Sequence, residues 1–191
     1  PDLISTKTND TSGSVNLGES FTWTITASNV GDGPAVFGAG ETIVGDQLPA
    51  NATYGAAAVV PGSVTNVTNA GSITCTISPA NLLACVANGA TVTVGALTGT
   101  FQVSFLTTPT DTNNLVNGAN VCVDPGTNVP EEDEGNNECS NTVTVTAPDL
   151  ISTKTNDTSG SVNMGESFTW TITASNVGDG TAVFGAGETI V

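Results

Sequence analysis

Residues 20–29 read Ser-Phe-Thr-Trp-Thr-Ile-Thr-Ala-Ser-Asn. In an extended chain Phe21, Trp23, Ile25 and Ala27 fall on one side, and Thr22, Thr24, Thr26 and Ser28 on the other. Strict alternation of this kind marks a β-strand packed on one face. Trp23 is therefore expected in a core rather than as a platform for a ligand. Residues 100–107 repeat the pattern, with Phe101, Val103 and Phe105 inward. Further strand candidates cover 3–8, 35–44, 72–77, 82–87, 91–97, 121–123 and 142–146, with Asn88-Gly89 and Asn117-Gly118 as turn dipeptides. Counted this way, about nine or ten strands precede residue 148, with no helix, and a two-sheet Greek-key sandwich is the expected closure.

The composition agrees. Hydrophobic residues make up 38% of the 191, and mean hydropathy is +0.11, enough for a folded core. That apolar set is mostly Val, Ala, Ile and Leu, with abundant Thr, a mixture that suits strands. Charge excludes several functions. Against 18 acidic residues stand two Lys, no Arg and no His, a net charge of −16. Nucleic-acid binding requires cations to replace phosphate counterions, and attachment to anionic lipid requires the same. Without His the commonest general base and metal ligand is missing, so no enzyme is expected. No stretch has the length of a membrane-spanning helix. No signal peptide is visible, and the start at Pro1 reads as a mature product or an internal fragment.

Internal similarity organises the chain. Residues 148–191 repeat residues 1–44 with two differences, Leu17 to Met164 and Pro34 to Thr181. The expected domains are thus 1–147, a complete unit, and 148–191, the first strands of the next. A strand-only piece of that size cannot bury enough surface alone. It must be completed by the rest of a tandem array or by strands of another copy, as in strand complementation. The junction Ala147-Pro148-Asp149 contains no Gly/Ser linker, so a stiff rod or fibre is expected. Lysine, a common guard of exposed sheet edges, is nearly absent. Edges are then kept apart by acidic charge or are already paired in a polymer.

Cys75, Cys85, Cys122 and Cys139 allow three pairings. Cys75–Cys85 and Cys122–Cys139 are favoured because each pair flanks one turn between strand-like runs. No CxxC and no His argue against zinc. Disulfides imply an oxidising, extracellular or cell-surface location.

The opening motifs resemble the conserved-repeat Ig-like domains of bacterial and archaeal surface proteins. The residues carrying the resemblance are Pro1-Asp2-Leu3-Ile4-Ser5-Thr6-Lys7-Thr8, then FTWTITASNVGDGPA, then Ile43-Val44-Gly45-Asp46-Gln47-Leu48-Pro49 and Thr53-Tyr54. The segment from Asp124 to Asn137 is similar to the closing turn of cell-adhesion-related (CARDB-type) domains. The resemblance implies an Ig-like sandwich repeat in a long secreted or surface-anchored protein. Its function would be structural, a unit of an extracellular filament whose partners are copies of itself; the alternative is an adhesin stalk or binding module with an unknown surface ligand. The segment 56–70 and the two disulfides make this unit larger than the usual member.

Four features carry candidate chemistry. Asp124, Glu131, Asp133 and Glu134 crowd between Cys122 and Cys139, and carboxylates in a closed loop suit Ca²⁺, although the spacing is not that of an EF-hand. The competing reading is a solvated acidic turn braced by Asn136 and Asn137. Asn9, Asn51, Asn66 and Asn156 begin N-glycosylation triplets. Paired carboxylates of a glycosidase are easy to find in so acidic a chain, but no aromatic-lined cleft accompanies them. Lys7 and Lys154 occupy equivalent positions, and each is either an ion-pair partner or the amine of an isopeptide bond to Asp or Asn on another strand.

Overall fold

A computed structural model describes residues 1–191. It divides into two compact units, Pro1–Val145 and Thr146–Val191. In the first, strands run in the order β1 (Leu3–Asn9), β2 (Ser14–Asn16), β3 (Phe21–Asn29), β4 (Ala35–Phe37), β5 (Thr42–Gln47), β6 (Ala52–Tyr54), β7 (Ala58–Val59), β8 (Val67–Thr68), β9 (Ile73–Ile77), β10 (Leu82–Ala87), β11 (Val92–Val94), β12 (Gly99–Pro109), β13 (Leu115–Val121) and β14 (Glu138–Thr146). The second unit holds β15 (Leu150–Asn156) and β16 (Trp170–Asn176). The fold is an all-β sandwich of antiparallel sheets, one full unit followed by the first strands of another.

One sheet has the order β1-β3-β12-β6, with β7 also on β12; facing layers come from β5-β10-β9, β4-β11-β8 and β13-β14-β2. Along β3 burial alternates residue by residue, because its partners β1 and β12 place one face on the core. Trp23, Phe101, Phe105, Leu3, Ile25, Ile43, Leu83 and Leu115 fill that core. Trp23 meets Phe21 and Phe105 edge-on at centroid separations of 5.1 and 6.2 Å, a favoured aromatic geometry.

Two expectations are corrected, and one segment is given its structure. The run 35–44 is not one strand: β4 and β5 are separated by a turn at Gly38–Glu41, where Gly40 has φ +94° and the Gly38 N–H donates to Glu41 Oε2 at 2.7 Å. Asn117-Gly118 is not a turn. It lies within β13, where the register against β14 shifts between Asn117 and Asn120 as a bulge does. The segment 56–70 contributes the short strands β7 and β8.

In the second unit β15 and β16 pair in the register of β1 and β3, Leu150 opposite Asn176 as Leu3 is opposite Asn29. The counterparts of β2, β4 and β5 are not strands. In the first unit those three pair with β14, β11 and β10, all of which come from residues outside the repeated segment. What is encoded within the 44 residues forms twice, and what needs the remainder of the unit forms once.

Candidate functional site

The repeat places a lysine on the inward face of a strand. In β1 the alternation turns Leu3, Ser5 and Lys7 toward the core. Lys7 Nζ lies 2.6 Å from Asp46 Oδ2, and both side chains are fully buried. Asp46 is on β5, within the otherwise apolar run Ile43-Val44-Gly45-Asp46. The ammonium stands 4.1 Å from the centroid of Trp23 and 5.4 Å from that of Phe105, both cation–π distances. Burial pulls the Lys7 pKa down to about 8, with the Asp46 charge opposing.

The β13 bulge completes this centre. It lets Asn117 and Asn120, three positions apart, both reach Asp46: Asn117 Nδ2 donates to Oδ2 at 3.1 Å and Asn120 Nδ2 to Oδ1 at 3.1 Å. Asn117 is 2% exposed, and its Oδ1 is buried without a hydrogen-bond donor, an arrangement that is costly and rare. Beside it, Asn141 Oδ1 accepts from Trp23 Nε1 at 2.9 Å and from Asn9 Nδ2 at 2.8 Å. Lys154, the counterpart of Lys7, stands 4.5 Å above Trp170 but has no Asp46 or Asn117 within its repeated segment. Sequence reading singled out Lys7 and missed Asp46 and Asn117 as its partners. The available signal was a lone acid inside an apolar strand.

The cysteines pair as Cys75–Cys85 and Cys122–Cys139. The first bridge joins directly opposed residues of β9 and β10, and the second closes the acidic turn. Of the four candidate calcium ligands, the structure brings Asp124, Glu131 and Glu134 within 4.8 Å of one another, while Asp133 accepts from the Gly135 N–H at 2.8 Å instead. Asp124 is buried and uses both oxygens locally: Oδ1 accepts from Asn128 N–H at 2.9 Å and Oδ2 from Val129 N–H at 2.8 Å. Glu131 accepts from the Leu3 N–H and, at 2.9 Å, from Asn137 Nδ2; partial burial raises its pKa. Asn136 Nδ2 reaches Asp2 Oδ1 at 2.8 Å. The acidic turn thus clasps the Pro-Asp-Leu entry of its own unit.

Among the glycosylation triplets, Asn9 is committed to Asn141, Asn51 Nδ2 donates to Asp111 Oδ1 and Asn113 C=O, and Asn66 Nδ2 donates to Thr98 Oγ1 at 3.1 Å. Asn156 Oδ1 caps the loop at Thr158 and Gly160.

The second unit presents an open apolar groove lined by Leu150, Ile151, Ala174, Phe184 and Ile190. Leu150, Phe184 and Ile190 are 53%, 38% and 61% exposed, whereas their counterparts Leu3, Phe37 and Ile43 are completely buried. No helix is long and apolar enough to cross a membrane. No protein-family model matches the chain, and no curated protein matches it either.

Proposed function

We propose that this chain is a structural repeat of an extracellular filament or surface fibre, built from Ig-like sandwiches in tandem. The observation that carries the reading is the contrast between two near-identical segments. In residues 1–44 the apolar face is covered by strands from residues 45–147, and in residues 148–191 the same face is open. The first unit's own covering strands are already occupied by residues 1–44. The segment 148–191 therefore calls for another copy of residues 45–147, and the occupant of its groove is that part of a further unit. Two disulfides favour an oxidising compartment, and the charge of −16 keeps outer faces of neighbouring fibres apart.

Electron microscopy of the native material tests this. Fibres with a regular axial repeat support it. Isolated stalks ending in a distinct head would refute it in favour of an adhesin. A second arm compares the 191-residue chain with one extended by a further copy of residues 45–147. Trp170 fluorescence should shift to the blue in the longer chain, as a fully buried indole requires; an unchanged spectrum counts against the completing role.

A further inference from the structure

We infer that Lys7 and Asn117 condense into an intramolecular amide that covalently ties the first strand of the unit to β13, with Asp46 carrying the protons. The geometry brings three complementary groups to one point. Lys7 Nζ and Asn117 Nδ2 both bond the same oxygen, Asp46 Oδ2, at 2.6 and 3.1 Å. The amine therefore lies no farther from the amide nitrogen than two hydrogen bonds laid end to end. All three side chains are buried, and Trp23 and Phe105 wall the amine. An enclosed site holds reactants in place and keeps water from competing.

The step balances without any co-reactant. A proton moves from Lys7 Nζ to Asp46, leaving a neutral amine whose lone pair attacks Asn117 Cγ. The Nζ–Cγ bond forms and the Cγ–Nδ2 bond breaks. Of the three ammonium protons, one stays on the new amide and two pass through Asp46 to Nδ2, which departs as ammonium. Asp46 ends as the carboxylate it began as, and nothing is oxidised or reduced. The depressed Lys7 pKa favours the neutral amine. Asn117 Oδ1, now without a donor, is where charge develops on attack, and Asp46 Oδ2 lies at the Nδ2 end of the same amide, where the leaving nitrogen takes up its protons. Asn120 is the less suited neighbour: it is half-exposed and bonds the other Asp46 oxygen.

The two lysines make an internal control. Lys7 has Asp46 and Asn117; Lys154 has neither within its repeated segment. The test is the mass of the purified, reduced and unfolded chain, followed by digestion. The expected mass is one ammonia below that of the sequence. Trypsin should then cut after Lys154 but not after acylated Lys7, and fragmentation of a second digest should recover a branched peptide joining residues 7 and 117. The Asp46→Asn variant should regain the full mass and trypsin cleavage at Lys7. A wild-type chain of full mass overturns the proposal. So does a one-ammonia deficit with Lys7 still cleaved, which would instead be a succinimide at Asn117-Gly118. Because the decisive readout is on the wild-type chain, a variant that fails to fold does not blunt it.

Discussion

Trp23 and Trp170 sit in identical local sequence, so the same substitution at both isolates what the surroundings contribute. Trp23 is fully buried, its Nε1 bonds Asn141, and its ring touches Phe21, Phe105 and the Lys7 ammonium. Trp170 is 52% exposed and touches Phe168 and Lys154. Replacing a core aromatic by Ala costs about 3–5 kcal/mol. The substitution also removes one of the two donors to Asn141 Oδ1, the other being Asn9 Nδ2, which places Trp23→Ala toward the upper end of that range. In a cooperative unit of this size each kcal/mol moves the melting midpoint by about 2–4 °C. Trp23→Ala should therefore lower the main transition by roughly 10–15 °C, while Trp170→Ala should move it by about 2 °C or less, as half-exposed positions do. The assay is thermal or urea unfolding of the 191-residue chain, read by circular dichroism. Trp23→Phe is the milder companion, expected to cost about 1–2 kcal/mol through the hydrogen bond and the smaller ring. Equal shifts at the two positions would refute the reasoning, because they would mean that the second copy is packed as the first is.

Three other outcomes follow from the same contacts. Reducing the bridges, which close 10- and 17-residue separations, should lower the melting temperature by roughly 5–10 °C per bridge on loop-closure arithmetic; an unchanged midpoint would argue that the bridges do not constrain the unfolded chain. In an Asn117→Ala variant, where Lys7 keeps a free amine, the folded pKa of about 8 lies below the ordinary 10.5. The unfolded chain then binds more protons between those values, so stability should be flat below pH 8 and rise by about 3 kcal/mol up to pH 10.5. The wild-type chain, with that nitrogen in an amide, should lack the rise in denaturant titrations across the same window. Calcium should leave the melting temperature unchanged, because Asp124 and Glu131 already spend their oxygens on protein donors; a saturable increase would show instead that the turn coordinates the ion.

Strand character was legible where alternation is long. The run at Phe21–Asn29 alternates over its whole length, and that at Gly99–Pro109 does the same, because each is central in its sheet and has one face on the core. Local punctuation was legible too: Gly89, at φ +73°, turns the chain between β10 and β11. Short strands were not legible, because two or three residues carry no period, and β6, β7 and β8 exist only through pairing with β12 and β11. Asn117-Gly118 misled for a physical reason: the dipeptide that suits a tight turn also suits a bulge, and only the partner strand decides between them. The lysine centre was half legible. A single Lys per acidic unit is conspicuous, but Asp46 and Asn117 lie 39 and 110 positions away from Lys7 in the chain, and nothing local couples them.

The pattern of covalent links bears on how the proposed array would keep its units separate. Both disulfides lie within residues 45–147, so neither ties the repeated segment to the strands that cover it. The two substitutions between copies, at Leu17 and Pro34, fall on exposed positions, and every buried position of residues 1–44 is unchanged in 148–191. Either copy therefore fits the same covering strands almost equally well, which is the condition for strand exchange between units. An amide from Lys7 to Asn117 is a bond that closes this route, since it fixes residues 1–44 to their own unit before a neighbour's segment can compete. A synthetic peptide of residues 148–191, added in excess, should then displace residues 1–44 from the Asn117→Ala variant over hours. It should leave the wild-type chain unlabelled, as read by native mass spectrometry. Displacement from the wild-type chain at the variant's rate would mean that non-covalent packing alone holds the first segment in place, and that the array's register rests on kinetics rather than on a bond.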